Sequence, residues 1–254
     1  RKYFDDFLTS ESYVYSYDDT YPILKEFSSK NSNGDEIKKE YKYSYNFIAQ
    51  NILYRQMSDK NILSPIIYEI TTINNKEVNR RYVEYNCDAN KTKGMMLPSY
   101  QQTSAGGDLR IDTTFDLYDT KGNLLQYTSL DGLKTCYLWS YVGQYPIAKI
   151  VNASYEEIKT ALGVTPETIS IQAMPDMQKI DALREKLPNA QVSTYTYKAL
   201  VGMTSMTDPR GGTTTYEYDS FGRLSKVKDA KGKVINTYDY HYQRPLLLTP
   251  IINP

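Results

Sequence analysis

The sequence has little of what most chemistry needs. It contains one histidine, His241, and two cysteines, Cys87 and Cys136. A four-ligand His/Cys zinc cage cannot be built from that set, so no metal site is expected. Any histidine-dependent triad would have to use His241. It also lacks net charge, since 30 basic side chains are matched by 30 acidic ones. A balanced chain has no electrostatic footprint for nucleic acid or an anionic membrane surface. No apolar run approaches the roughly 18 residues of a spanning helix. G-x-S-x-G, P-loop, H-E-x-x-H, EF-hand and Rossmann glycine signatures are all missing. No catalytic residue and no cofactor is therefore assigned. The two cysteines leave two readings open: one disulfide in an oxidising compartment, or two small buried thiols. The chain begins at Arg1 and not at Met, and so reads as a processed product or an internal piece.

What is present is tyrosine, 26 residues of 254. Tyrosine favours strands, and each buried hydroxyl needs a partner. The tyrosines alternate. Tyr13, Tyr15 and Tyr17 are spaced by two, as are Tyr41, Tyr43, Tyr45 and Phe47, and Tyr137, Trp139 and Tyr141. Tyr195 and Tyr197, Tyr216 and Tyr218, and Tyr238, Tyr240 and Tyr242 repeat the spacing. Residues two apart on a strand share a face, so each of these segments is expected to be a strand.

A longer register overlies this one. Tyr118, Asp119, Gly122, Leu124 and Gly132 recur one hundred residues later as Tyr218, Asp219, Gly222, Leu224 and Gly232. A looser copy runs from Tyr195 through Gly202 to Asp208-Pro209-Arg210-Gly211, a step of about 21 to 22 residues. Asp119 and Asp219 are expected to open tight turns, where a carboxylate accepts a nearby backbone N–H. Gly122 and Gly222 then supply the left-handed conformation that rejoins the ladder. Each unit is a hairpin that needs neighbours to hide its aromatic face.

Tyr216-Glu217-Tyr218-Asp219-Ser220-Phe221-Gly222-Arg223-Leu224, followed by Lys228-Asp229-Ala230-Lys231-Gly232, resembles the YD repeat of the RHS (rearrangement hotspot) family. The segment Thr207-Asp208-Pro209-Arg210-Gly211-Gly212-Thr213-Thr214 is similar to the family's linking segment. The resemblance is specific over 195–242 and good over 115–141. Before residue 105 it is a texture of tyrosine strands with an Asn33-Gly34 turn. It implies an antiparallel, spiralling sheet, a bacterial secreted or surface setting, and repeats without intrinsic catalysis. The family's shell-closing Asp-Pro-x-Gly-Leu signature is absent, because Gly212 follows Gly211.

The expected organisation is mainly β with a small α insertion. Residues 1–105 form a tyrosine-rich β region, 106–150 a YD-like unit, and 151–190 a helical insertion. Two YD units occupy 191–243, and a proline-rich tail occupies 244–254. Within the insertion, Ser154 and Glu157 form a capping box, and Gly163 is a natural stop. A second helix is expected from Met177 to Leu187, ended by Pro188, with an extended link at 169–173. Ile158, Leu162, Ile180, Leu183 and Leu187 are the docking stripe.

Candidate sites were weighed against bland alternatives. His241 lies between Tyr240 and Tyr242 and is expected to face solvent. Asp116 with Asp119, or Glu217 with Asp219, can in principle serve glycoside hydrolysis, which needs carboxyls about 5 to 9.5 Å apart. The turn role already explains Asp119 and Asp219. Tyr137, Trp139 and Tyr141 are the candidate ligand-binding residues, since flat rings with polar tips suit sugars. The competing expectation is that this aromatic face is core, with Leu138 and Ser140 on the other face. The reading that results is a noncatalytic extracellular or envelope module with structural or interaction duty. A carbohydrate-binding module and a fragment of an RHS polymorphic-toxin shell lacking its effector are the alternatives. Candidate partners are a cell-surface glycan or another envelope protein, with no nucleic acid and no membrane span.

Overall fold

A computed structural model describes residues 12–241, with 2–4 and 7–9. Tyr242 and the tail 244–254, assigned above from sequence, lie outside the described residues. The chain divides into two compact units, Arg1–Gln191 and Val192–Pro254. Each is built from antiparallel strands paired in chain order.

In the first unit β1 (Lys2–Phe4) and β2 (Phe7–Thr9) pair as a hairpin of their own. The main sheet starts with β3 (Ser12–Tyr17), β4 (Leu24–Lys30) and β5 (Glu36–Tyr43). After α1 (Ile52–Asp59) come β6 (Ile66–Ile73), β7 (Lys76–Asn86), β8 (Leu97–Ser104) and β9 (Arg110–Tyr118). The sheet continues with β10 (Leu124–Ser129), β11 (Lys134–Ser140) and β12 (Tyr145–Val151). Every strand from β3 to β12 pairs antiparallel with its sequence neighbours. The second unit comprises β13 (Gln191–Lys198), β14 (Gly202–Thr207), β15 (Thr213–Tyr218), β16 (Leu224–Lys228) and β17 (Val234–Thr237). It follows the same rule. Purely sequential pairing is what hairpin turns produce without crossovers.

Helices supply the hydrophobic cores of the first unit. In α1, Asn51 caps the start, its side chain accepting from the Leu53 amide at 2.8 Å. Tyr54 and Met57 of α1 bury themselves against Ile67, with Phe47, Ile62, Tyr82, Tyr85 and Met96 around them. This helix falls inside 1–105, expected to be a tyrosine-rich β region. The expected strand through Tyr45 and Phe47 ends at Tyr43, and 44–47 form a 3-10 turn.

The second core lies between the strands β11 and β12 and the helices that follow. These are α2 (Tyr155–Leu162), α3 (Pro166–Ser170), α4 (Met177–Asp181) and α5 (Leu183–Lys186). The capping box of Ser154 and Glu157 is formed, and Gly163 ends α2 at φ +68°. Ile158, Leu162, Ile180 and Leu183 are buried, whereas Leu187 is half-buried. The structure corrects the expected pair of helices. Pro166 at N1 starts α3 where an extended link was expected at 169–173, and the second helix divides at Ala182. Proline presets helical φ at N1 and has no amide to lose there, which the sequence reading overlooked. α3 packs on β11. Among the described residues no helix is long and apolar enough to cross a membrane.

Candidate functional site

The recurrent structure is a five-residue turn. Asp219 shows its logic. The Gly222 amide donates to the Asp219 carbonyl at 3.0 Å, closing a tight turn, and the Asp219 amide donates to the Arg223 carbonyl at 2.8 Å. One carboxylate oxygen accepts from the amides of Phe221 and Arg223 at 2.8 and 3.0 Å. The other accepts from the Arg223 guanidinium. Arg223 beside it holds the Asp219 carboxyl below the usual carboxylate range. Asp119 repeats the arrangement, accepting from the amides of Lys121 and Asn123, both at 2.8 Å. Here Asn123 Nδ2 takes the place of the guanidinium at 2.9 Å. Asp208 and Asp229 accept in the same way from the residues two and four further on.

Two further copies are legible in the sequence only as an Asn33-Gly34 turn and as Gly132 in the hundred-residue register, without their side-chain acceptors. Asn31 accepts from the amides of Asn33 and Asp35 at 3.0 and 2.9 Å, so an amide oxygen replaces the carboxylate. Ser129 opens another, and Asp131 two residues on supplies the side-chain oxygen, to the Leu133 amide. The glycine in fourth place has φ between +74° and +86° throughout, at Gly34, Gly122, Gly132, Gly211, Gly222 and Gly232. This is a type I turn closed by a left-handed glycine bulge, which rejoins twisted strands in register. Gly122 and Gly222 hold the conformation expected of them, at φ +84° and +74°.

The tyrosines do a second job. Where β15 pairs β16, Tyr218 lies opposite Leu224 and Glu217 opposite Lys226, leaving Ser225 as a bulge. The Leu224 carbonyl beside that bulge accepts from the Tyr240 hydroxyl at 2.9 Å. One hairpin earlier, Tyr197 lies opposite Met203, Thr204 is bulged, and the Met203 carbonyl accepts from Tyr218 at 2.8 Å. The first unit repeats the arrangement. Tyr17 faces Leu24, whose carbonyl accepts from Tyr43 at 2.5 Å. Tyr85 faces Pro98, whose carbonyl accepts from Tyr118 at 2.9 Å. Tyr118 faces Leu124, whose carbonyl accepts from Trp139 Nε1 at 2.9 Å. A bulge disrupts the ladder locally, and an aromatic polar tip from the next segment closes the gap. Burial raises the pKa of Tyr43, Tyr118 and Tyr218, keeping these hydroxyls protonated donors. Gly202 makes room for one clasp: a Cβ there would lie 2.5 Å from the Tyr218 hydroxyl.

The aromatic candidates Tyr137, Trp139 and Tyr141 do not form one platform. Tyr137 and Trp139 are half-buried on β11, and Tyr137 pairs with Tyr127 at 6.4 Å between ring centroids. Tyr141 lies past the strand end at φ +54° and meets Tyr145 edge-on at 5.6 Å. The expectation that this face is the core is overturned. Leu138 at 1 % exposure and Ser140 at 0 %, with Cys136, form the buried side. The reason is the helical insertion. Ser140 Oγ donates to the Ile169 carbonyl at 3.0 Å, and Cys136 Sγ to the Ala153 carbonyl at 3.3 Å. The small side chains let helix and loop backbone approach closely, and burial pushes the Cys136 thiol up to about 12. Cys87 is exposed, and neither cysteine is in a disulfide. Trp139 borders a cleft with Asp119, Leu125, Pro166 and Ile171 of ≈ 70 Å³, well below the about 300–1,000 Å³ of ordinary ligand sites.

Beyond Trp139 the chain turns through Tyr141, Val142 and Gly143, all left-handed at φ +54°, +58° and +70°. The surroundings hold this turn in place. The Val142 amide donates to the Gln172 carbonyl at 2.9 Å, Asn123 Nδ2 to the Gly143 carbonyl at 2.9 Å, and Lys121 Nζ to the Val142 carbonyl.

The carboxylates considered for hydrolysis are occupied. Asp116 accepts from Gln126 Nε2 at 2.9 Å and Thr128 Oγ1 at 2.6 Å. Glu217 pairs with Lys228, which lowers its pKa. His241 is exposed and lies outside any strand, as does Tyr240, since β17 ends at Thr237. Among the described residues no group of His, Cys, Asp or Glu is placed to hold a metal ion.

Comparison with known proteins agrees with the turn geometry. Residues 202–234 match the RHS repeat. No curated protein matches the chain. Solved structures with partial likeness include a mutant Tc holotoxin pore of Photorhabdus luminescens, at 10 % identity and a TM-score of 0.32. It is covered over 87 % of this chain and 12 % of that one. The TcdB2-TccC3-Cdc42 complex and TcdB2-TccC3 lacking its hypervariable C-terminal region are each 12 % identical, with a TM-score of 0.35. Both are covered over 87 % of this chain and 13 % of theirs. The match over 202–234 takes in the Asp208 and Asp219 turns, so this segment of the chain carries an RHS repeat, or YD repeat.

Proposed function

We propose that the chain is a noncatalytic structural and interaction segment of an extracellular or envelope YD-repeat protein. One observation carries this reading: the side chains that chemistry would need are consumed by backbone. Asp119, Asp208, Asp219 and Asp229 each satisfy amides of their own turn. The tyrosine hydroxyls of the clasps close bulge carbonyls. One of the two carboxylate pairs weighed for hydrolysis, Glu217 and Asp219, has lowered pKa values, whereas a glycosidase acid needs a raised one. What remains outward is sheet face and turn tips, which suit contact with another protein.

The test is turnover against stability. The purified chain is incubated with a panel of polysaccharides, and new reducing ends are measured for wild type, Glu217→Gln and Asp116→Asn. The expected result is no release by any form, with lowered melting temperatures for the variants. Release by wild type that Glu217→Gln abolishes would overturn the noncatalytic reading.

A further inference from the structure

We propose that the aromatic clasps make the sheet a directional assembly, in which each hairpin is completed only by the segment that follows it. The argument rests on which segment holds the acceptor and which the donor. In every clasp the acceptor carbonyl belongs to the second strand of a hairpin, next to its bulge. The donor comes from beyond that hairpin, 15 to 20 residues further along the chain. The direction does not vary. Leu24 waits for Tyr43, Pro98 for Tyr118, Leu124 for Trp139, Met203 for Tyr218 and Leu224 for Tyr240.

Two tyrosines serve in both roles. Tyr118 closes the Pro98 carbonyl on the strand before it and stands opposite Leu124, whose carbonyl is closed by Trp139. Tyr218 closes Met203 and stands opposite Leu224, whose carbonyl is closed by Tyr240. The hairpins of Tyr118 and Tyr218 thus each receive a donor from the segment after them and give one to the strand before. The bonds run backward along the chain, so the ladder break of each clasped hairpin is closed only once the segment after it is in place. A carbonyl at a ladder break that lacks its partner is destabilising when buried. An incomplete array therefore has its weakest hairpin at the growing C-terminal end, and each arriving segment locks the one already formed.

The experiment is amide hydrogen exchange, strand by strand, on the full chain carrying Tyr218→Phe, Tyr118→Phe or Tyr240→Phe. Each variant deletes one hydroxyl and keeps the ring, so packing is retained. For Tyr218→Phe, amides of β13 and β14 should exchange about five- to tenfold faster, with β16 near wild type. For Tyr118→Phe the increase should fall on β7 and β8, with β10 unchanged. Tyr240 lies outside any strand, so Tyr240→Phe removes a donor without touching a ladder of its own, and faster exchange should appear in β15 and β16. Equal loss of protection on both sides of the substituted residue, or none on either side, would overturn the proposal.

Discussion

The two units use one turn and one clasp but differ in what covers their sheets. In the first unit, helices lie against β6 and β11, and Met57, Ile67, Leu138, Ile147, Ile158 and Leu183 are at most 1 % exposed. In the second unit the described residues include no helix. β15 is half-buried along its whole length and β17 is exposed throughout. The comparison shows that the hairpin chemistry does not depend on a deep core. Turn carboxylates, left-handed glycines and aromatic clasps recur with the same geometry over covered and bare sheet. Local bonds set the strand register, and helices add burial where the sequence inserts them.

Breaking the core should therefore separate the units most. Leu138→Ala is expected to cost about 3–4 kcal/mol, whereas Val227→Ala, at one of the few buried positions of the second unit, should cost about 1–2 kcal/mol. Urea titration followed by far-ultraviolet dichroism measures both. Equal costs would mean that the second unit is as well packed as the first.

Breaking the turn should act alike in either unit. Gly222→Val and Gly122→Val each force a β-branched residue to positive φ and are expected to cost about 1–3 kcal/mol. Asparagine at the same positions should cost clearly less, because it tolerates the left-handed region. An unchanged urea midpoint for either valine variant would show that the glycine conformation is not required.

The turn at 141–143 sharpens the contrast, because it holds Val142 in the left-handed region that the YD turns fill with glycine. Val142→Gly relieves the strain at the expense of chain entropy, and a net gain of up to about 1 kcal/mol is expected. A loss in the thermal melt would mean that the valine side chain contributes more than its backbone costs.

Acid should give the smallest effect. The carboxyls of Asp219 and Glu217 have folded pKa values below their ordinary 3.8 and 4.5, through Arg223 and Lys228 respectively. Their contribution is complete above the ordinary values and is lost as pH falls through the lowered folded ones. Asp219→Asn should flatten the slope of stability against pH below about 4. An unchanged slope would show that the Arg223 pair does not stabilise the fold.

Much of this was legible in the sequence because the governing bonds are local. The turns at Asp119 and Asp219 are written within five residues, and the capping box of Ser154 and Glu157 within four. The Asn33-Gly34 turn was legible but its acceptor Asn31 was not, because Asn stands where Asp was sought, and at Ser129 the side-chain oxygen comes from Asp131. The buried side of β11 was misread for a nonlocal reason. Tyr137 and Trp139 have more apolar area than Cys136, Leu138 and Ser140, but the helices that follow settle on the side with small residues. Ser140 reaches Ile169 across 29 positions, and Tyr43 reaches Leu24 across 19. No pattern of spacing by two contains those partners. Of the aromatic candidates Trp139 closes a bulge, at the Leu124 carbonyl, and that role needed the pairing register.

The five-residue turn divides its own positions unequally. In the turns at Asn31, Asp119, Asp208, Asp219 and Asp229 the first residue supplies the side-chain oxygen, and the fourth supplies the left-handed backbone. At the second and third places Thr120, Pro209, Arg210, Ser220, Ala230 and Lys231 are exposed, as are Lys121, which reaches the Val142 carbonyl, and Phe221, over which the Arg223 guanidinium lies. Phe221 is 81 % exposed and Leu130 72 %. Mutation at the tips that make no such contact, such as Thr120, Ser220 and Ala230, is expected to matter little to folding while being fully visible to anything outside. A repeat of this kind can diversify its tips without renegotiating its framework. Such tips are a natural place for lineages to diverge in what they touch, and for an engineer to graft a short peptide or a label.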